Sequence, residues 1–68
     1  MPYHKIAKNL LETHCTVDSF DVDFFDVQVS EVVAAELEKL GAKVLRSEHS
    51  SSLHVICPER DASDPDDS

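Results

Sequence analysis

The sequence predicts a small α+β domain: two or three helices followed by a C-terminal β-hairpin. Three observations predict it. Ser30 to Gly41 carries a helical period with a start and a stop, Ala42 to Glu48 and Leu53 to Cys57 alternate like paired strands, and residues 3–14 carry a second helical stripe. Sixty-eight residues make one domain. A chain of this length buries only about 60% of the surface its unfolded form exposes, so a homodimer would relieve a shortage of core.

The Ser30 helix is justified residue by residue. Ser30 is a good N-cap, since its hydroxyl can accept from a free backbone N–H. Glu31 puts negative charge at the positive end of the helix dipole. Val33, Leu37 and Leu40 fall at i, i+4 and i+7 on one apolar stripe. Glu36 and Lys39 can pair at i, i+3. Gly41, the only glycine, stands where a left-handed residue closes a helix. In residues 3–14, Ile6, Ala7, Leu10, Leu11 and His14 share a face, with Lys5, Lys8 and Glu12 opposite. Pro2 suits the start of that helix, and His14 is expected to pack rather than to ligate.

In the hairpin, Leu53, Val55 and Cys57 share one face and His54 and Ile56 the other. Pro58 ends the strand by removing a donor. The connection His49-Ser50-Ser51-Ser52 has no Asn-Gly or Asp-Gly pair, so a loose loop is expected.

Residues 16–29 leave two readings open. Phe20, Val22 and Phe24 alternate with Asp21 and Asp23, a strand pattern. Phe25, Val27 and Val29 continue in the opposite phase, so a single strand needs a bulge at Phe24-Phe25. Yet Phe20, Phe24 and Val27 are also at helical spacing, with Asp18 or Ser19 as the cap. The helical reading, with a turn at Val29-Ser30, then Leu37-Glu38-Lys39-Leu40-Gly41, then Val44-Leu45-Arg46 opening a wing, resembles a winged helix-turn-helix domain over about residues 4–58. Gln28 stands where that family usually has a turn glycine. The strand reading gives α-β-α-β-β, with a three-stranded sheet covered by two helices.

Charge bounds the partners. The formal net charge is −8, and residues 1–58 hold nine acids against five bases. An acidic body repels phosphate and anionic membrane and attracts basic partners, although solubility or salt adaptation would explain the same composition. Residues 59–68 have no large apolar side chain and one proline, and are expected to form a disordered acidic tail. No apolar run approaches the length of a membrane span. A cytoplasmic protein is therefore expected, with Cys15 and Cys57 as two buried thiols rather than a bridge.

Chemistry-bearing patterns are incomplete. Asp18, Asp21, Asp23 and Asp26 form an acidic run, but from Asp21 the carboxylate spacing of a calcium loop fails and no glycine follows. His14, Cys15, His54 and Cys57 are zinc-ligand types at a spacing no standard finger uses. Cys15 beside His14 lacks a group to orient the pair. No enzyme, metal or cofactor is expected. The expected function is a small acidic protein-binding module that presents Asp18, Asp21, Asp23, Asp26, Glu31 and Glu38 to a basic protein. Its concrete form is an inhibitor or regulator that imitates DNA to block a nucleic-acid-handling protein. The alternative is a winged-helix regulator touching DNA through Lys43, Arg46, His49 and His54 on its wing, since Glu31 and Glu38 make a poor major-groove helix.

Overall fold

The structure is a computed structural model that describes residues 2–59. Apart from Glu59, the acidic tail expected at 59–68 lies outside the described residues. The elements run α1 (Tyr3–His14), β1 (Ser19–Asp23), α2 (Val27–Lys39), β2 (Lys43–Leu45) and β3 (Ser52–Ile56). The strands form one antiparallel sheet in the order β1-β3-β2. This is an α+β fold of two helices and a three-stranded sheet. The helix considered at 19–26 is not formed, and Ser19–Asp23 is a strand.

The phase conflict at Phe24-Phe25 is resolved by ending the strand. β1 stops at Asp23, and the Phe24 N–H makes one last bond to the Ser51 carbonyl at 2.9 Å. Phe25 then turns out to solvent, fully exposed at 106% of its reference area. Val27 and Val29, whose alternation suggested more strand, lie in the first turn of α2. Asp26 is the N-cap: its carboxylate accepts from the Gln28 N–H at 2.8 Å. The helix thus starts three residues before Ser30, and Ser30 is an interior residue rather than a cap. It is completely buried, its hydroxyl donates to the Val27 carbonyl at 2.6 Å, and the Ser50 carbonyl lies at 3.3 Å. A buried hydroxyl needs such a partner.

At its other end α2 closes as expected. Gly41 has φ +98°, its N–H reaches the Glu38 carbonyl and the Ala42 N–H reaches the Leu37 carbonyl. This crossed pair of bonds satisfies carbonyls left open by the last turn, and the left-handed residue between them is cheap only for glycine. α1 starts at Pro2, whose carbonyl accepts from Lys5 and Ile6.

The core lies between the helices and one face of the sheet. Ala7 of α1, Val33 and Leu37 of α2, and Leu53 and Val55 of β3 are fully buried or within 1% of it. Each such valine or leucine contributes roughly 1.5–3 kcal/mol of burial. Phe20, Val22 and Val44 complete the sheet's inner face, and Tyr3, Ile6, Leu10, Leu11 and Leu40 close the helical side. His14 stacks on Phe20 with ring centroids 4.9 Å apart, so it packs, at the exposed edge of this layer.

Cys15 and Cys57 form a disulfide, against the expectation of two thiols. The register explains it. Ser19 pairs with Ile56, and the Cys57 N–H extends the ladder by donating to the Asp18 carbonyl at 2.9 Å. Cys15, which caps α1, is thereby carried to Cys57, and their Cα atoms are 5.8 Å apart, within bridging range. The two thiols were expected because a reducing compartment was expected, and the bridge departs from that expectation.

Candidate functional site

The outer face of the sheet, away from the helices, is where the expected acidic and basic sets meet. Alternation sends Ser19, Asp21 and Asp23 of β1 outward, and Lys43 and Leu45 of β2, and Ser52, His54 and Ile56 of β3, to the same side. The register then places Asp21 opposite His54, His54 opposite Leu45, Asp23 opposite Ser52, and Ile56 opposite Lys43. These are cross-strand neighbours, close enough for side chains to bond.

Two of the pairs do bond. His54 Nδ1 lies 2.6 Å from Asp21 Oδ1; an ionised carboxylate only accepts, so the ring donates from Nδ1. The Ser52 hydroxyl donates to Asp23 Oδ1. That hydroxyl is committed to a carboxylate rather than to the His54 ring, so the face holds two separate acceptor pairs and no serine–histidine relay.

The β2–β3 turn forms one wall. β2 ends at Leu45, short of the Glu48 expected, and Arg46 follows it. Its Nη2 donates to the Ser50 carbonyl at 3.1 Å and lies 3.7 Å from Glu31 Oε2 on α2. The Arg46 side chain is 23% exposed, and its buried Nε meets no acceptor among the described residues. Ser47 to Ser50 close a turn in which His49 has φ 62°, and His49 pairs with Glu48 at 3.7 Å, both fully in solvent. Together Asp21, Asp23, Leu45, Arg46, Ser50 and His54 line a shallow, open concavity.

The remaining expected site residues lie elsewhere. Asp18 stands at the bridge end of the sheet, with its backbone engaged by Cys57. Asp26 caps α2, and Glu38 is exposed in the last turn of that helix. The six acids therefore do not form one continuous surface. Asp21, Asp23 and Glu31 gather around the outer face and its turn, interleaved with Arg46 and His54 from the basic set. Of the four bases of the expected wing, Arg46, His49 and His54 each have a carboxylate within 4 Å, and Lys43 has none among the described residues. A second acidic centre sits across α1 and α2. His4 Nδ1 and Lys39 Nζ approach the two oxygens of Glu36 at 3.3 and 3.4 Å. The His4 hydrogen bond, helped by Lys39, holds the Glu36 carboxyl below the usual glutamate range.

Among the described residues no group of three or more His, Cys, Asp or Glu side chains converges as a metal ligand set. Cys15 and Cys57 are bonded to each other, so neither offers a thiolate to zinc or a nucleophile to His14. No helix of the described residues is long and apolar enough to cross a membrane.

One surface residue escaped the sequence reading. Phe25 fell within either a bulged strand or a helix over 19–26, yet it is the most exposed large apolar side chain of the described residues. The signal was present: two adjacent aromatics in a period-2 segment cannot both face the core. The chain matches no protein-family model, and neither a curated protein nor a solved structure matches it significantly.

Proposed function

We propose that this chain is a small acidic protein-binding module that works without catalysis and engages a basic protein partner. The observation that carries the reading is the distribution of charge pairing. Arg46, Lys39 and three of the four histidines each have a carboxylate within 4 Å, and Asp18 and Glu38 stay exposed without an ion pair among the described residues. Each pair neutralises one acid for one base, so the excess of acids over bases, nine against five in residues 1–58, remains as a negative exterior. Such an exterior raises the encounter rate with a cationic protein and repels nucleic acid. The inhibitor or regulator of a nucleic-acid-handling protein, imitating the charge of DNA, is the concrete form of this proposal.

The test is an affinity pull-down from a lysate of the source organism, with and without nuclease, using the wild-type chain and the Asp18→Lys/Glu38→Lys variant. Both substitutions fall on exposed side chains outside the core, so the fold is retained. A basic protein recovered with nuclease present, and lost with the variant, is the expected result. Recovery that disappears with nuclease would replace this reading with DNA contact through Lys43 and Arg46.

A further inference from the structure

We infer that the partner is held at the β1–α2 corner, where Phe25 and a neighbouring apolar groove receive a short segment carrying a bulky apolar side chain bracketed by lysine or arginine. The inference rests on the acidic-module reading and gives it a location and a partner chemistry.

The corner is built by three local facts. β1 ends at Asp23, the Asp26 cap fixes where α2 begins, and the two residues between them must cross from sheet to helix. Phe24 turns in and packs on the core, so Phe25 is left outside. Beside it Tyr3 and Ile6 from the first turn of α1, Phe24, and Val29 from α2 line a groove of about 410 Å³ that is mostly apolar. That volume admits one or two side chains. An exposed aromatic next to a partly desolvated apolar pocket is the arrangement that concentrates binding energy at protein interfaces.

The charge of the rim selects the occupant. Asp23 lines the groove itself, and Asp26 follows Phe25 in the chain with its side chain at the surface. Asp26 is held in place by its bond to the Gln28 N–H, so one carboxylate lies on the groove and a second follows the aromatic in the chain. A second copy of this chain would bring the same two carboxylates against them, and each copy carries a net charge of −8. A segment with flanking cations meets the carboxylates while its apolar side chain enters the groove.

The experiment uses the full chain, isotope-labelled, and three synthetic peptides. The first has a central leucine and phenylalanine bracketed by lysines, the second has glutamate in place of every lysine, and the third has serine in place of the two apolar residues. Amide shifts around Ile6, Phe24, Phe25 and Val29 with the first peptide alone are expected, together with about tenfold weaker binding after Phe25→Ser. Asp23→Asn, which keeps an acceptor for Ser52, should weaken binding about threefold at low salt. Shifts centred on Asp18 or Glu38, with affinity unchanged by Phe25→Ser, would overturn the corner and leave the acidic-module reading standing. No shift with either lysine peptide at low salt would overturn both. A native mass showing a dimer that Phe25→Ser splits would make a second copy the occupant and overturn the inference.

Discussion

The two ends of α1 are finished in opposite ways. At its C-terminal end Cys15 is bonded to Cys57, Leu11 and Leu40 pack nearby, and the Asp18 carbonyl takes the Cys57 N–H. At its N-terminal end no side chain caps Tyr3, and the neighbouring corner leaves Phe25 in solvent beside an open groove. One end joins helix to sheet covalently. The other has no side-chain cap of its own, and the carboxylate at that corner, Asp26, caps α2 instead. A chain this short has a small core, so the covalent link at one corner carries a large share of its stability and the exposed phenylalanine at the other carries little.

That comparison can be broken at the locked end with the largest effect. The Cys15→Ser/Cys57→Ser variant loses a crosslink between residues 42 positions apart. The expected cost is about 4 kcal/mol, a large share of the stability of so small a domain. Denaturant titration of the variant against the oxidised wild type measures it. Equal midpoints would show that apolar packing alone closes this end.

At the open end the effect is smaller. Asp26→Ala removes the α2 cap, and a loss of about 1 kcal/mol is expected by thermal or chemical denaturation. Phe25→Ser should leave stability within about 0.5 kcal/mol, because the ring is already in water. A marked loss with Phe25→Ser would mean that the ring is covered in solution and that the two ends differ less than described.

The smallest effect tunes the α1–α2 contact between the ends. His4 and Lys39 lower the pKa of Glu36. A group whose folded pKa is depressed adds stability above its unfolded value and loses it as the pH falls through the folded value. The contribution is therefore complete above the ordinary glutamate range and is gone only once the pH has fallen below the depressed folded value. In the His4→Ala variant the Glu36 carboxyl should titrate at higher pH, read by side-chain NMR. An unmoved titration would show that Lys39 alone sets it.

Much of this fold was legible in the residues. The α1 stripe, the Val33-Leu37-Leu40 stripe, the glycine stop and the inward Leu53-Val55 pair follow from period, and period is a local property. The Ser30 start was misplaced because serine and aspartate cap almost equally well. Burial decided between them: Ser30 faces the core and the Ser50 carbonyl, while Asp26 is free to bend back to Gln28. The candidate site was less legible. Asp21, Asp23, Arg46 and His54 were singled out, but in opposing sets, because nothing in their spacing says that β1 pairs with β3.

The sequence by itself determined the helices, the hairpin and the excess of negative charge, since propensity, alternation and composition act over a few residues. Tertiary structure decided the rest. Inserting β3 between β1 and β2 brought Cys57 to Cys15, set Asp21 against His54, and pushed Phe25 out at the corner. Strand order and register are pairings between distant segments. They are settled by which arrangement packs Phe20, Val22, Leu53 and Val55 together against the core, a comparison that no single stretch of the chain contains.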